Sequence, residues 1–413
     1  MKERIVVTGI GAVSALGLSA DETFLSLRQN VCGIKAITGF NTDNYPVRLA
    51  AEVHRDIWMS QQPKTLLKRL DASSMLALMA CEEAIQSTAI LSSGVPRQRI
   101  GIFWASGNGG IQSMDEGWQK MNQSDNPLSV GPFFQVRVLA DTASARIAAQ
   151  FGIQGPVITT VSACASGNAS IQTALAYLQM NWIDIAITGG SEAAVSPSVL
   201  AGFSAMKALS TIENATDAVI PFGNQRKGFL PGEGAACLIL ERENQAEGRN
   251  QKPLAIISGT ALLNEAGHMT NPDPEAFIAS EVIIRAISNA GLQKQDIDLV
   301  YAHGTGTIHG DFAEYTAYKN CWGNDLAHLP VVCTKHNTGH LLGASASLEA
   351  AMAVQMLRKQ TLIPGHKDAG NAKDMQQPAL FIPHAGVEMK LKHVLNYAAG
   401  FGGQQSAVIL SAP

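Results

Sequence analysis

Charged residues are scarce in this chain. Lysine, arginine, aspartate and glutamate supply 15% of its 413 residues, with 30 basic and 34 acidic side chains, whereas about 25% is usual for a globular protein. Aromatic residues make up only 6%, so the hydrophobic 46% is mainly small and aliphatic. This composition excludes a disordered chain, which is rich in charge and poor in aliphatic side chains. It predicts a large buried core and a surface that is partly covered in an oligomer.

Two other signals are missing. Positive charge is not in excess, since the formal net charge is −4, and a nucleic-acid-binding protein is usually basic. The sequence also has no uninterrupted run of about 18 apolar residues, the length that a membrane-spanning helix needs. We therefore expect neither nucleic acid nor a membrane among the partners of this protein.

The six cysteines are scattered, and no two of them form a CxxC pair. This spacing predicts neither a zinc site nor a disulfide framework. The first residues, MKERIVVTGIG, run directly into an apolar strand, without the features of a signal or transit peptide. We therefore expect a cytoplasmic protein with reduced thiols and no bound metal, in which an isolated cysteine can serve as a nucleophile.

Apolar strand-like runs alternate with amphipathic helical runs along the whole chain. IVVTGIGAV at residues 5–13, for instance, is followed by a helical pattern at 73–87. Strands that are apolar on both faces and separated by helices predict a buried α/β sheet. Residues 157–179 and 331–354 share one plan, which is a β-branched run, a turn of small residues and a helix. We interpret this as a duplicated α/β unit with its join near residues 245–255; chance similarity between α/β units is the alternative.

Cys164 lies in the sequence TVSACASGN, between a strand pattern and a helix pattern. A thiol at the start of a helix feels the positive end of the helix dipole, which favours the thiolate. The free backbone N–H groups at that position can also stabilise an oxyanion. This setting predicts a nucleophile, although a small buried cysteine without a chemical role is an equally good interpretation of the residue alone.

Two histidines and a glycine-rich loop provide further candidate site residues. His303 opens the turn AHGTGTIHGD, in which glycines allow the backbone to approach a ligand. In CTKHNTGHLLG, we expect His340 at a helix start, where the dipole keeps the ring neutral. The loop AAGFGGQQ at 398–405 carries one aromatic residue, Phe401. Each feature alone fits an ordinary structural turn. Together with Cys164 they indicate covalent thiol catalysis, with the histidines stabilising a developing negative charge.

These motifs resemble those of the β-ketoacyl-acyl carrier protein synthases, in the synthase I/II branch of the thiolase-fold condensing enzymes. The resemblance covers essentially the whole chain, from VVTGIGAVSALG to GFGGQQSA, and includes ACASG, AHGTGTxxGD and KxxTGHLLGA. It implies a thiolase-like α/β fold in which a duplicated unit gives five layers, α-β-α-β-α. It also implies an N-terminal half at residues 1–252, with the nucleophile and inserted cap segments, and a C-terminal half at 253–413, with the catalytic histidines.

The same resemblance implies a role for each matching residue. Cys164 would accept the acyl chain, while His303 and His340 would bind the malonyl thioester carbonyl and stabilise the enolate that decarboxylation leaves. No cofactor is implied beyond the phosphopantetheine of the carrier protein that bears the substrates. The other implied roles are orientation of the network by Lys335, support by Glu349 and Asp311, an oxyanion hole from the N–H groups of Cys164 and Phe401, a gate at Phe401, and pantetheine binding by Thr305 and Thr307.

An acyl carrier protein is the partner that the resemblance implies. Such a carrier is acidic, and Lys64, Lys68 and Arg69 match positions where related synthases bind it; a solvated helix face is the alternative. Ala398 and Ala399 stand where the fatty-acid enzymes typically have a serine and a phenylalanine. Such departures resemble ketosynthases of type II polyketide and aryl-polyene systems and favour that assembly over housekeeping fatty-acid elongation. They imply either a homodimer or a heterodimer with a chain-length-factor-like subunit.

Three other functions fit the sequence less well. VVTGIGAVS resembles a dinucleotide-binding fingerprint, but Ser14 occupies the third glycine position and no acidic residue ends a second strand about 20 residues on. GGSEA resembles a serine-hydrolase elbow around Ser191, but Ala193 occupies its second glycine position. The third is a non-catalytic partner subunit of a ketosynthase, and the intact Cys164 and His303 argue against it.

Overall fold

The computed structural model of the protein describes residues 3–375 and 377–413. Within these residues, twelve strands and fourteen α-helices alternate along the chain, as the sequence predicts. The strands are β1 (Ile5–Ser14), β2 (Lys35–Ala36), β3 (Leu49–Ala50), β4 (Ile100–Ala105), β5 (Val157–Thr160), β6 (Ile185–Ala193), β7 (Glu233–Arg242), β8 (Ala255–Asn264), β9 (Leu299–Tyr301), β10 (Val331–Val332), β11 (His393–Gly400) and β12 (Gln404–Ser411). The helices are α1 (Ala20–Arg28), α2 (Asp56–Ser60), α3 (Lys64–Leu67), α4 (Ala72–Thr88), α5 (Ile111–Ser124), α6 (Phe134–Val138), α7 (Thr142–Phe151), α8 (Ser166–Gln179), α9 (Pro197–Ala205), α10 (Glu243–Gly248), α11 (Phe277–Asn289), α12 (Ile308–Trp322), α13 (Lys335–Thr338) and α14 (Ser345–Lys359).

Ten of these strands form one sheet, in the order β10-β9-β11-β12-β8-β1-β7-β6-β4-β5. The sheet consists of two groups of five strands, which join only where Val6 pairs with Ile256 and Val7 with Ala255. In the first group β4 runs parallel to β5 and β6, while β7 is antiparallel to β6 and β1. In the second group β9 runs parallel to β10 and β11, while β12 is antiparallel to β11 and β8. The two groups repeat one pattern in the same chain order, which confirms the duplicated α/β unit.

The helices and strands form five layers, which pack on one another through three hydrophobic clusters. The first cluster lies between the two groups of strands and contains the apolar faces of α8 and α14. The second lies under α4 and α7 on the outer face of the first group, and the third lies under α11 and α12 on the outer face of the second. The central helices bury the faces that the sequence predicts, including Leu175, Leu178, Leu348 and Met352. The layer order α-β-α-β-α is therefore confirmed.

One sequence expectation differs from the structure at the ends of elements. The segment 398–405 is mainly strand, because β11 continues to Gly400 and β12 begins at Gln404, so that only three residues form the turn. The division of the chain into halves at residues 252 and 253 stays a prediction. In the described part of the chain, no helix has the length and apolar character needed to cross a membrane.

Close packing of α4 against β1 gives a stability prediction. A Cβ added to Gly11 would lie 2.0 Å from the backbone oxygen of Ala80, and overpacking of a core costs about 1–3 kcal/mol. We therefore expect Gly11→Ala to lower the midpoint of urea unfolding. Gly202, on the exposed side of α9, has nothing within 4 Å of an added Cβ. Gly202→Ala is the matched control and should keep or raise the midpoint; an unchanged midpoint for Gly11→Ala would contradict the packing.

Candidate active site

Cys164 lies in a tight turn between the end of β5 and the start of α8. The preceding residue, Ala163, has a φ of +49°, a left-handed conformation that costs energy in a residue other than glycine and often marks a functional site. Gly400 of β11 packs directly on this turn, since a Cβ added there would lie 2.8 Å from the Ser162 oxygen and 3.0 Å from the Cys164 nitrogen. The turn therefore presents the half-buried thiol while its backbone is held by the second half of the chain.

Burial opposes the thiolate that the helix dipole is expected to favour at Cys164. It raises the pKa of Cys164 to about 12, although the positive charge of Lys335 opposes that rise. The α8 helix begins at Ser166, so the thiol lies two residues before its first turn. Desolvation of the charged form is the larger effect here.

His340 lies beside the thiol, with its Nε2 atom 3.1 Å from Sγ of Cys164 and its Nδ1 atom 2.8 Å from Oγ of Ser345. His340 lies two residues before a 3-10 turn at Leu342–Ala344, which leads directly into α14 at Ser345. The ring is neutral, as expected. Burial and then the charge of Lys335 hold the pKa of His340 well below its usual range.

His303 follows β9, and its ring centroid lies 5.3 Å from that of His340 at an angle of 80°. Burial, then Lys335, then His340 hold the pKa of His303 well below its usual range, so this ring is also neutral. The backbone is fixed from below, because the N–H groups of His303 and Gly304 each donate to the carboxylate of Glu314 at 2.7 Å. The structure thus brings together the thiol and two neutral imidazoles.

Lys335 supplies the positive charge under this group. Its Nζ atom donates to Oε1 of Glu349 at 2.5 Å and to the backbone oxygen of His303. Both side chains are buried, with 1% and 3% of their surfaces exposed. Burial lowers the pKa of Lys335, but Glu349, together with Cys333 and Glu314, raises that pKa above its usual value. Lys335 therefore remains an ammonium ion.

A cavity of about 520 Å³ opens onto Cys164, His303 and His340. Thr305 and Thr307 line it, with their hydroxyl oxygens 3.0 Å apart. Phe401, of which 39% is exposed, forms part of its wall. Ala399, Ala279 and Ala313 also line the cavity with short side chains.

Asp311 lies beneath the threonine turn rather than in the cavity. Burial raises the pKa of Asp311 to about 6, and its carboxylate accepts from the N–H groups of Phe222 at 2.6 Å and Gly306 at 3.0 Å. Arg226, with its Nε atom 4.0 Å from this carboxylate, donates to the backbone oxygens of Thr307 and Ile308. Both residues hold the shape of the turn.

The predicted docking residues lie elsewhere. Lys64, Lys68 and Arg69 are exposed on and after the four-residue helix α3, and the Arg69 guanidinium lies 5.2 Å from the centre of the Phe133 ring. None of the three lines the cavity that contains Cys164. The basic residues that do line it are Lys207 and Lys227, so the docking role of the first group stays a prediction.

Sequence reasoning missed residues that support the site. Glu314 carries the His303 turn, and its one signal is a lone carboxylate among small and aromatic residues of α12, in FAEYTAY. Glu192 accepts from the N–H groups of Gly107 at 2.6 Å and Gly343 at 3.1 Å, and burial raises the pKa of Glu192 to about 7. Ser345, the partner of His340, has no sequence signal of its own.

Among the described residues, two groups of side chains have the spacing of metal ligands. The first consists of Cys164, His303 and His340, whose donor atoms lie within 4.8 Å of one another. A thiol with a raised pKa is a poor ligand, because the thiolate is the form that binds a metal. The second group is Asp217, His366 and Asp368. There Nε2 of His366 bonds to the Thr216 oxygen and Nδ1 accepts from the Asp368 N–H, so both ring nitrogens already have partners.

Comparison with known proteins gives the family. Residues 2–246 match the family described as beta-ketoacyl synthase, N-terminal domain, and residues 254–367 match beta-ketoacyl synthase, C-terminal domain. The chain belongs to the β-ketoacyl synthase family. It is 32% identical over 407 residues to 3-oxoacyl-[acyl-carrier-protein] synthase 2 of Staphylococcus aureus, an alignment that covers 98% of each chain.

Solved structures agree with this assignment. The ishigamide ketosynthase/chain length factor has a TM-score of 0.91 and 27% identity, and a beta-ketoacyl synthase from Burkholderia phymatum has a TM-score of 0.90 and 27% identity; both comparisons cover 100% of each chain. The thiolase-like fold is thereby confirmed. The protein is a ketosynthase, a condensing acyltransferase of the 3-oxoacyl-acyl carrier protein synthase type.

The electrostatics of Cys164 predict its reactivity. Because burial raises the pKa of this thiol to about 12, alkylation by iodoacetamide should accelerate roughly tenfold per pH unit from about pH 6 to about pH 9, as the thiolate fraction grows. Lys335→Met should slow alkylation at every pH, because it removes the positive charge that lowers the pKa of the Cys164 thiol. Mass spectrometry measures the label, with Cys164→Ala as control. A rate of alkylation that levels off near neutral pH would contradict a raised pKa for the Cys164 thiol.

Proposed function

We propose that this protein joins an acyl group to a malonyl unit by decarboxylative Claisen condensation, with both substrates carried on phosphopantetheine. The observation that carries the proposal is the trio of Cys164, His303 and His340, which lines one cavity as a thiol and two neutral imidazoles. A thiol supplies the covalent acceptor. Neutral imidazoles supply N–H donors where negative charge develops on a thioester oxygen.

In the first half-reaction, the Cys164 sulfur attacks the carbonyl carbon of the incoming acyl thioester. The bond to the pantetheine sulfur breaks, the bond to Cys164 forms, and the thiol proton ends on the departing sulfur. The backbone N–H groups of Cys164 and Phe401 form the oxyanion hole. This assignment is supported by Gly400, whose close contact with the Cys164 turn holds the two amides on neighbouring segments.

In the second half-reaction, the malonyl thioester oxygen accepts hydrogen bonds from His303 and His340. Loss of carbon dioxide leaves an enolate, and its α-carbon attacks the acyl carbonyl on Cys164. The bond to the cysteine breaks, and a β-ketoacyl thioester forms on the carrier. Lys335, supported by Glu349, positions His303 through its backbone oxygen and stabilises the negative charge of the enolate.

Thr305 and Thr307 bind the pantetheine arm in this proposal, and Asp311 supports them from below. The substrate then needs no cofactor beyond that arm. Lys207 and Lys227 line the same cavity. Their ammonium groups can bind the phosphate of the phosphopantetheine arm on the carrier protein. Lys64, Lys68 and Arg69 form a second group of basic residues that binds the acidic carrier protein in this proposal. Phe401 acts as the gate between the two half-reactions.

A second subunit completes the proposed assembly. Strand β5 is the outermost strand of the first group. Val157, its first residue, has 40% of its surface exposed, and Val161, which follows its last residue, has 58% exposed. An open sheet edge with apolar side chains is a natural pairing surface. We propose a dimer through this edge, either with a second copy or with a chain-length-factor-like subunit, the kind of partner named with the ishigamide ketosynthase.

We propose specialised polyketide or polyene assembly as the pathway. Ala399, with Ala279 and Ala313, lines the cavity with short side chains, and the ishigamide ketosynthase is a structural neighbour. Elongation of fatty acids is the second candidate, favoured by the identity to the Staphylococcus aureus synthase. A cytoplasmic location is proposed because all six cysteines are free thiols in the structure.

The reaction is tested by intact-mass analysis. Incubation with hexanoyl-acyl carrier protein should add one hexanoyl group to the unaltered protein and none to Cys164→Ala. His303→Ala should keep this acylation and lose most malonyl decarboxylation, because it removes one donor to the enolate and leaves the nucleophile. If the unaltered protein gains no acyl mass, the proposal is wrong. If His303→Ala loses acylation but keeps decarboxylation, the roles assigned to Cys164 and His303 are wrong.

The dimer is tested by native mass spectrometry. We expect the unaltered protein to run as a dimer, alone or after co-expression with a chain-length-factor-like subunit. Val161→Asp should shift it to the monomer, since a buried charge at the β5 edge has no partner there. Val387→Asp, which alters an equally apolar but distant exposed residue, should leave the dimer intact. A Val161→Asp variant that still dimerises would place the interface elsewhere.

A further inference from the structure

We propose that Ser345 is a positioning residue that fixes the tautomer of His340, so that the ring carries its proton on Nε2. The inference rests on the proposed function, because it concerns how His340 serves both half-reactions. Ser345 Oγ lies 2.8 Å from Nδ1 of His340. The two residues are buried, with 3% and 1% of their surfaces exposed.

The hydrogen-bond inventory of Ser345 decides the direction of this bond. A serine hydroxyl has one hydrogen to donate and two lone pairs to accept with. Among the described residues, Oγ of Ser345 has no hydrogen-bond partner other than Nδ1 of His340. A buried hydroxyl hydrogen without an acceptor is costly, so the hydroxyl donates to Nδ1. Since the neutral ring then accepts at Nδ1, its own proton is on Nε2.

The neutral state of His340 is part of this reasoning. A protonated ring would carry hydrogen on both nitrogens and leave the hydroxyl without its acceptor. The ammonium group of Lys335, held by Glu349, makes a second positive charge next to it unfavourable. One neutral tautomer therefore satisfies the Ser345 hydroxyl and both ring nitrogens of His340.

An Nε2–H group suits both half-reactions. In the resting enzyme it points at Sγ of Cys164 over 3.1 Å, where it stabilises the negative charge that the sulfur carries once the thiol has lost its proton and before it attacks. In the second half-reaction, the same N–H donates to the malonyl thioester oxygen. The segment 230–232 holds the backbone of His340 on both sides, since the His340 N–H donates to the Leu230 oxygen at 2.7 Å and the Gly232 N–H donates to the His340 oxygen at 2.9 Å.

The experiment compares Ser345→Ala with a neighbour on the same helix. Ser347 is fully buried, and its Oγ atom has no hydrogen-bond partner among the described residues, so Ser347→Ala removes a hydroxyl without removing a bond. Ser345→Thr keeps the hydroxyl and serves as the rescue variant. The readouts are malonyl-acyl carrier protein decarboxylation, measured in a Cys164→Ala background, and the ¹⁵N spectrum of labelled histidine, which distinguishes the two tautomers. His340→Gln assigns the signal.

We expect the spectrum of the unaltered protein to show the His340 proton on Nε2. In Ser345→Ala a population with the proton on Nδ1 should appear, and decarboxylation should fall about tenfold. Ser347→Ala should match the unaltered protein, and Ser345→Thr should recover most of the rate. A purely structural role would lower stability without changing the tautomer.

Two results would overturn the proposal. A proton on Nδ1 in the unaltered protein does so whatever the variants show, including a Ser345→Ala that fails to fold. A folded Ser345→Ala with an unchanged tautomer and an unchanged rate does so as well. Either result leaves the condensation reaction standing. If instead the unaltered protein neither accepts a hexanoyl group nor decarboxylates malonyl-acyl carrier protein, the proposed function itself fails.

Discussion

The buried ion pair between Lys335 and Glu349 is the interaction on which the rest of the site depends. Two charges with 1% and 3% of their surfaces exposed are expensive to remove from water, and only a close partner makes this tolerable. Their pairing keeps one positive charge under the trio of Cys164, His303 and His340. Burial lowers the pKa of both imidazoles and this charge lowers it further, while the same charge opposes the effect of burial on the thiol. One fixed cation thus helps burial to keep two rings neutral and eases formation of a thiolate.

The duplicated fold explains how this charge and the nucleophile meet. Cys164 comes from the turn before α8 in the first unit, and Lys335, His340 and Glu349 come from the turn and helix at the equivalent place in the second. Because α8 and α14 both lie in the central layer, the starts of the two helices converge. The sheet joins over only two residue pairs, so the central helices, rather than the strands, hold the two units in register.

Much of this site could be predicted from the sequence, and the reason is local. Cys164 and His303 each occupy a turn of small residues after a strand pattern, and such turns gather at one edge of an α/β sheet. The missing parts depend on contacts distant in sequence. Cys164 and His340 are 176 residues apart, and neither flank shows that burial outweighs the helix dipole at the thiol. The separation of Lys64 from the cavity follows from where α3 packs, for which no local signal exists.

The scarcity of charge in the sequence acquires a specific meaning in the structure. Several of its few carboxyl groups are buried, and three of them accept hydrogen bonds from backbone N–H groups at turns. Glu314 holds His303 and Gly304, Asp311 holds Gly306, and Glu192 holds Gly107 and Gly343.

Glycine-rich turns allow the backbone to approach a thioester, but glycine is also the most flexible residue. A buried carboxylate that accepts two or three N–H groups removes that flexibility without adding side-chain bulk inside the cavity. The protein therefore places several of its few carboxyl groups at the turns that must be both rigid and free of side chains, and the remaining core can consist of small and aliphatic side chains.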